Sequence, residues 1–144
     1  MFRAFDISAS ALTLQKLRMD VIAQNIANAQ TTRTETGEPY RRKVVVVREG
    51  QYAKPFSQYL QEKLGSFSGS GVKAVRVQED PTPFKRVYDP THPDADEDGY
   101  VQMPNVEILR EMVDMISATR SYEANVTAFN AAKNMALKAL EIGR

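Results

Sequence analysis

The sequence predicts an α+β fold that is mainly α, with long N- and C-terminal helices paired as a hairpin or coiled coil around a small β-rich insert. Two observations predict it. Apolar residues recur every seven positions near both ends of the chain, and short valine-rich runs lie between turn-forming residues in the middle. We therefore divide the 144 residues into a terminal helical domain, residues 1–32 together with 105–144, and a small outer insert, residues 33–104.

The C-terminal stretch 105–143 carries the longer helical pattern. Asn105 is expected to be the N-cap of this helix, and Gly143 is expected to end it. At 1.5 Å per residue the helix is about 55 Å long, which is more than one small domain can cover, so the pattern predicts a partner. The row of residues at seven-residue spacing comprises Ile108, Met115, Tyr122, Phe129 and Ala136, with Met112, Val126 and Leu140 four positions after members of the row.

The N-terminal stretch 4–29 predicts a second helix with two apolar rows. Apolar residues then occupy more than half of the circumference, which is typical of a helix packed on several neighbours. Packing in the core of a two-helix hairpin would explain one row only, so we favour packing between subunits over simple core packing. The first row comprises Phe5, Leu12, Met19 and Ile26, and the second comprises Ile7, Leu14 and Val21.

The insert is predicted to contain three short strands and a few connecting segments. Strands are expected at Tyr40–Arg48, which includes four consecutive valines, around Val75 and Val77, and at Phe84–Tyr88. Residues 55–64 have the spacing of a short helix, and 66–71 form a Ser/Gly linker. An acidic loop follows at 89–99, and Tyr100–Met103 leads into the long helix.

Composition excludes several classes of function. The net charge of +1 is balanced along the chain, so no basic face for nucleic acid is expected. The chain has no cysteine, and no apolar run is long enough for a transmembrane helix. The N-terminal residues lack the basic and apolar blocks of a signal peptide, so any export is expected to use another route.

Only one motif suggests a bound ion. Asp94, Asp96, Asp98 and Gly99 match the first half of an EF-hand loop, but the twelfth position, which should be a glutamate, falls on Asn105. A solvated acidic turn is therefore favoured over a calcium site. The sole histidine, His92, has no second histidine or cysteine to share a metal. We predict no enzymatic activity, no cofactor and no metal site.

Three segments together resemble a known family. The run Asn25 to Asn28 (Asn-Ile-Ala-Asn) resembles the end of the first helix in the axial proteins of the bacterial flagellum, which form its rod, hook and filament junctions. Asn105-Val106, Glu111-Met112, Arg120 and the run 122–125 (Tyr-Glu-Ala-Asn) resemble the C-terminal signature of that group. Residues 87–101 are similar to its proximal-rod members. The resemblance covers nearly the whole chain, and residues 50–70 match nothing in it.

The resemblance implies a structural subunit of the flagellar basal-body proximal rod. Its terminal helices would assemble into a hollow helical rod that transmits torque and serves as the export channel. The implied partners are copies of the chain, other proximal and distal rod subunits and the flagellar type III export apparatus. The implied location is the basal body, in the periplasmic part of the cell envelope. Two alternatives remain open, a helical-hairpin adaptor and a calcium-binding module using residues 94–99.

The expected assembly interface follows the apolar rows and the family signatures. It comprises Phe5, Leu12, Met19, Asn25, Ile26, Asn28, Asn105, Val106, Ile108, Met112, Met115, Tyr122, Asn125 and Phe129.

Overall fold

A computed structural model describes residues 2–50 and 71–142, which form two long helices and two small antiparallel sheets. This arrangement confirms the predicted fold class. The predicted helix at 55–64 lies outside the described residues, as do residues 66–70 of the predicted linker and the predicted stop at Gly143. The elements are α1 (Phe2–Ala27), β1 (Lys43–Glu49), β2 (Val72–Glu79), β3 (Lys85–Tyr88), β4 (Tyr100–Met103) and α2 (Ile108–Ile142).

Helices α1 and α2 pack against each other in opposite directions. Near one end the ring of Phe5 meets the ring of Phe129 edge-on, with centroids 5.0 Å apart and planes at 74°. Near the other end the side chain of Asn25 is hydrogen-bonded to Glu111. Ala118, on the same side of α2 as Glu111, is only 2% exposed. The apolar rows of the two helices therefore hold the hairpin together along most of α1.

Helix α2 extends beyond the start of α1. Because Phe5 lies opposite Phe129, little of α1 remains to cover the last turns of α2. Ala132 is 8% exposed, whereas every position from 133 to 141 except Ala136 is exposed. The final turns of this long helix are therefore not covered by another helix in the described part of the chain.

The predicted N-cap at Asn105 is wrong. The first helical hydrogen bond of α2 runs from the N–H of Glu111 to the carbonyl of Glu107, 3.0 Å, so Glu107 occupies the capping position. The side chain of Asn105 instead accepts a bond from the N–H of Arg42 at 2.7 Å and donates to the carbonyl of Thr82 at 3.0 Å. Backbone groups of the insert therefore bind the side-chain amide of Asn105, which its position before the helix had suggested as the N-cap.

Strands β1 and β2 form a two-stranded antiparallel sheet that is anchored on α1. Lys43 lies opposite Glu79, and the register shifts between Val46 and Val47. At the far end of the pair, the N–H of Gly50 donates to the carbonyl of Gly71 at 2.6 Å.

Gly71 lies directly against α1. A Cβ at this position would collide with the hydroxyl of Ser10, and that hydroxyl accepts a bond from the N–H of Val72 at 3.2 Å. Glycine is therefore needed here for the close approach of strand and helix.

Strands β3 and β4 form the second antiparallel pair, with Lys85 opposite Met103 and Tyr88 opposite Tyr100. The prediction of a strand at 84–88 is confirmed. The sequence analysis missed β4, which it treated only as a lead into α2. Val101 of β4 is 2% exposed, so this short strand contributes to the core.

The core of the described residues is small, and many large apolar side chains remain exposed. No helix among the described residues is long and apolar enough to span a membrane. Whether residues 1–32 with 105–144 and residues 33–104 behave as separate domains stays a prediction. The buried apolar residues are Leu14, Val21, Ile22, Ala29, Val101, Val106, Ala118 and Ala132.

The helix pairing predicts that a larger side chain at Ala118 destabilises the hairpin. Ala118→Leu places three extra carbons in a fully buried position, and such overpacking costs about 1–3 kcal/mol. Ala124→Leu makes the same change at an exposed position of α2 and should alter the unfolding free energy by less than about 0.5 kcal/mol. Urea denaturation of both variants measures the difference. Equal midpoints would contradict the observed packing of α1 on α2.

Candidate functional site

Polar side chains from both helices and from the insert meet in one cluster, which we call the polar junction. It lies where α2 begins, where α1 approaches its end and where β1 starts. Two of its members, Glu111 and Asn25, are the most deeply buried polar residues described, at 0% and 1% exposure. The polar junction comprises Asn25, Tyr40, Arg42, Asp80, Asn105, Glu111 and Asp114.

Arg42 forms an ion pair with Glu111 at the centre of the junction. The Nε–H of Arg42 donates to Glu111 Oε1 at 2.6 Å. The other guanidinium nitrogens lie 3.3 Å from an oxygen of Asp80 and 3.6 Å from an oxygen of Asp114. Burial of a carboxylate is costly unless it is paired and hydrogen-bonded. Arg42 supplies that pairing and connects the insert to α2.

Asn25 bonds the second carboxylate oxygen of Glu111. Its Nδ2 donates both to Glu111 Oε2 and to the carbonyl of Lys43, each at 2.9 Å. Its Oδ1 accepts from the N–H of Lys43 at 2.9 Å and from the Tyr40 hydroxyl at 3.0 Å. One amide therefore satisfies both backbone groups of the first residue of β1 and joins them to the two helices.

Asp80 and Asn105 extend the junction to the end of β2. The N–H of Asp80 donates to the carbonyl of Arg42 at 2.8 Å, and Asn105 Nδ2 donates to the carbonyl of Asp80 at 3.2 Å. Asp80 Oδ1 also accepts bonds from the N–H and hydroxyl of Thr82. The residue preceding β1 and the residue following β2 are thus both held at the start of α2.

The surroundings shift the pKa values of Arg42, Asp80 and Tyr40. Burial by itself lowers the pKa of Arg42, but the hydrogen bonds and charges of Glu111 and Asp80 outweigh it and raise that pKa above its usual value. Bonds from Thr82 lower the pKa of Asp80, with a further contribution from Arg42. Burial, followed by the negative charges of Glu111 and Glu79, raises the pKa of Tyr40. The ionised forms of Arg42 and Asp80 are therefore favoured in the fold.

The carboxylates of the polar junction are held by neighbouring side chains. Glu111, Asp80 and Asp114 are each paired with Arg42, and Glu111 also accepts a bond from the amide of Asn25. Among the residues of the polar junction, no nucleophilic hydroxyl is activated by a neighbouring base. Within residues 2–50 and 71–142, no group of three or more His, Cys, Asp or Glu side chains is arranged to hold a metal ion. The geometry therefore fits a structural role.

A second feature lies on the side of α2 that faces away from α1. Four large apolar side chains at spacings of three and four residues cover its first turns, and we call them the outer face. Their exposures are 70% for Leu109, 44% for Met112, 65% for Val113 and 55% for Ile116. Contiguous exposed apolar side chains mark contact surfaces in soluble proteins, so this face is suited to bind another protein.

Most of the residues predicted at an assembly interface lie inside the hairpin. Two members, Ile108 and Met112, are exposed at 42% and 44%. Asn25 and Val106 are buried within the chain, and the others are partly buried. The contact of these residues with another subunit stays a prediction. The partly buried ones are Phe5, Leu12, Met19, Ile26, Asn28, Asn105, Met115, Tyr122, Asn125 and Phe129.

Most members of the polar junction, and three of the four residues of the outer face, were not predicted as site residues. Arg42 was predicted only as part of the strand Tyr40–Arg48, and Glu111 was quoted only within the family signature. Val113 of the outer face was not singled out, although it continues the spacing of Leu109 and Ile116. For Arg42 and Glu111, 69 positions apart, no local spacing could have predicted the pair.

The carboxylates of the acidic loop contact several different partners. Asp94 accepts a bond from the Thr32 hydroxyl at 2.8 Å and lies 3.9 Å from Arg33. Asp96 lies 4.0 Å from Arg86 of β3. The loop is thus held by neighbouring side chains, and Asp94 and Asp96 contact different partners.

Comparison with known proteins gives matches at both ends of the chain and over its full length. The family described as "Flagella basal body rod protein" matches residues 5–33, and "Flagellar basal body rod FlgEFG protein C-terminal" matches residues 97–142. The flagellar basal-body rod protein FlgC of Bacillus subtilis (strain 168) is 52% identical over 149 aligned positions, which cover 99% of this chain and 98% of the relative.

Two further relatives carry the same name. FlgC of Borreliella burgdorferi is 43% identical, covering 99% of this chain and 97% of the relative. FlgC of Escherichia coli O6:H1 is 46% identical, covering 97% of this chain and 96% of the relative.

The junction predicts that removal of Glu111 destabilises the whole fold. In Glu111→Ala, Arg42 and Asn25 lose their shared acceptor, and breaking a buried ion pair in this way costs about 3–5 kcal/mol. Glu123→Ala removes an exposed glutamate of the same helix and should change the unfolding free energy by less than about 0.5 kcal/mol. Chemical denaturation followed by circular dichroism compares the two variants. A loss in Glu111→Ala no greater than in Glu123→Ala would show that the junction does not stabilise the fold.

The lowered pKa of Asp80 predicts a loss of stability in acid. Its pKa in the fold lies below the unfolded value of about 3.9, so the ionised carboxylate stabilises the fold above about pH 4. That contribution disappears as the pH falls through the folded-state pKa. Asp80→Asn should be less stable at pH 7 and should lose less stability between pH 5 and pH 2. Thermal unfolding over this pH range is the measurement, with Asp20→Asn, at an exposed position of α1, as the control. Parallel pH profiles for Asp80→Asn and the parent chain would contradict the assignment.

Proposed function

Because the chain belongs to the FlgC family of flagellar basal-body rod proteins, we propose that it is a structural subunit of the proximal rod. Its terminal helices assemble into a hollow helical tube that transmits torque and serves as the export channel. The family membership confirms the resemblance found in the sequence. The observation that carries the proposal beyond family membership is the exposed outer face of α2.

The outer face supports assembly because the hairpin does not use it. The side of α2 that carries Tyr122 and Phe129 packs toward α1, and their side chains are partly buried there. Leu109, Val113 and Ile116 lie on another side and are more than half exposed. A helix that is apolar on two sides has one side for its own chain and one for a neighbour.

The polar junction supports the proposal in a different way. A rod that transmits torque needs subunits whose parts keep a fixed orientation under load. Glu111 and Asn25 connect the hairpin to the beginning of β1, and Asn105 connects it to the backbone around Asp80 and Thr82. We therefore assign Asn25 and Asn105 to holding the insert on the hairpin, and the exposed side of α2 to contacts between subunits.

Partners and location follow from membership of the rod. The subunit contacts copies of itself and other rod proteins in the flagellar basal body, at the level of the periplasm. It reaches that position through the flagellar type III export apparatus. It acts by assembly and not by catalysis. The fully paired junction, with its short bond between Arg42 and Glu111, supports this non-enzymatic role.

The two alternatives receive no support from the relatives. A calcium-binding module would need the carboxylates at 94–99 to converge, whereas Asp94 and Asp96 contact Thr32 and Arg86 respectively. A helical-hairpin adaptor would account for the pairing of α1 and α2. It would not account for identity to rod proteins over nearly the whole chain.

The proposed function predicts that a charge on the outer face blocks assembly without unfolding the subunit. Leu109 is 70% exposed, so Leu109→Glu should leave the melting temperature close to that of the parent chain. Cells that carry this variant as their only copy should still secrete the protein, but they should not swim, and their purified basal bodies should lack it. A buried glutamate at a subunit contact would have no partner, which accounts for the loss.

Ala128→Glu is the matched control, because it adds the same charge at an exposed position on another side of α2. It should be secreted, assembled and motile. Normal swimming with Leu109→Glu would show that the outer face is not part of the assembly surface.

A further inference from the structure

The acidic loop between β3 and β4 is attached, through Asp94, to the segment that follows α1. Asp94 Oδ2 accepts a bond from the Thr32 hydroxyl at 2.8 Å, and Oδ1 lies 3.9 Å from the guanidinium of Arg33. The base of the loop is held separately, because the N–H of Asp89 donates to the carbonyl of Gly99 at 3.0 Å. The contacts of Asp94 therefore fix the outer part of the loop, and their loss would leave the pairing of β3 with β4 in place.

His92 positions the backbone of Asp94. Its Nδ1 accepts a bond from the N–H of Asp94 at 3.1 Å. An accepting nitrogen carries no proton, so the ring is neutral in this arrangement and its proton is on Nε2. The carbonyl of His92 accepts from the N–H of Ala95 at 3.1 Å, which closes a turn around Asp94. The side chain of His92 is 32% exposed, so water has access to the ring.

Protonation reverses the role of Nδ1. Both ring nitrogens of a protonated histidine are donors, so Nδ1 can then no longer accept the N–H of Asp94. An acceptor for the new N–H lies close by, because Asp94 Oδ2 is 4.0 Å from Nδ1. That oxygen is the one bonded by the Thr32 hydroxyl. A proton on His92 thus removes a backbone bond of Asp94 and attracts the carboxylate that anchors the loop.

We propose that His92 is a pH switch: its neutral ring holds the acidic loop on the segment after α1, and protonation releases the loop from Thr32. The switch belongs to the single chain and goes beyond the proposed rod function. In the released form the loop keeps its base at Asp89 and Gly99, while its outer part is free to move relative to the end of α1.

The charged groups near His92 leave the histidine as the group that responds in mild acid. Bonds from the hydroxyl and the N–H of Thr91 lower the pKa of Asp89, so this carboxylate stays ionised there. Arginine does not lose its proton in proteins. Histidine is the side chain that ordinarily changes charge between about pH 5 and pH 8. The charged side chains around His92 and Asp94 are Arg33, Glu38, Asp89 and Asp96.

Nuclear magnetic resonance of the full chain between about pH 8 and pH 5 tests the switch. His92 is the sole histidine, so its ring nitrogen signals are unique and report the proton on Nδ1. As Nδ1 takes up the proton, the protection of the Asp94 amide against exchange should fall about fivefold, which corresponds to one hydrogen bond of ordinary strength. The nuclear Overhauser contact between Thr32 and Asp94 should weaken along the same curve. The amide of Asp89 should keep its protection.

His92→Asn is the matched variant, because the side-chain oxygen of asparagine bonds the N–H two residues on, as Nδ1 does here, and asparagine does not titrate. It should keep the Asp94 amide protected and the Thr32 contact in place at both ends of the pH range. His92→Ala removes the acceptor and should lack that protection at both ends.

Two results would overturn the switch. One is a parent chain in which the protection of Asp94 and the Thr32 contact stay constant while the ring takes up its proton. The other is a loss of the same size in His92→Asn, because a group other than the histidine would then cause it. Neither readout depends on assembly, so these results are distinguishable from a failure of the rod function.

Discussion

The ion pair between Arg42 and Glu111 determines how the two parts of this molecule are joined. Arg42 directly precedes β1, and Glu111 is in the first turn of α2 with no exposed surface. A carboxylate at that depth needs both its oxygens bonded, and Arg42 and Asn25 bond one oxygen each. The three side chains come from α1, the insert and α2. Displacement of the insert or of α2 would separate Glu111 from Arg42, and displacement of α1 would leave one oxygen of Glu111 without Asn25, so one arrangement of the three is strongly preferred.

One long helix combines two tasks by using different sides. Along α2, the side with Ala118 and Phe129 packs toward α1, while Leu109 and Val113 face away from it. Apolar area covered by the chain's own helix stabilises the subunit, and apolar area left uncovered is available to other subunits. The small core of the described residues is consistent with this division, because many large apolar side chains remain exposed in the described part of the chain.

The helices, the fold class and three strands could be predicted because their signals are periodic and local. The polar junction could not, because Asn25, Arg42 and Glu111 are far apart in sequence and carry no shared spacing. Asn105 shows the limit most clearly. Its position before a helix indicated a cap, but the side chain finds backbone partners in the insert. Periodicity also did not tell which flank of α2 faces α1, so the predicted assembly residues include partly buried and exposed positions, and their contact with another subunit stays a prediction.

The hydrogen bond from Gly50 to Gly71 closes one end of the β1–β2 pair. The two glycines lie side by side at the end of the β1–β2 pair, next to Ser10 of α1. A stretch of chain that departs and returns at one point can gain or lose residues without moving either strand, and the entropic cost of lengthening a closed loop rises only slowly. A change in the number of residues between these glycines is therefore expected to leave the register of β1 against β2 unchanged.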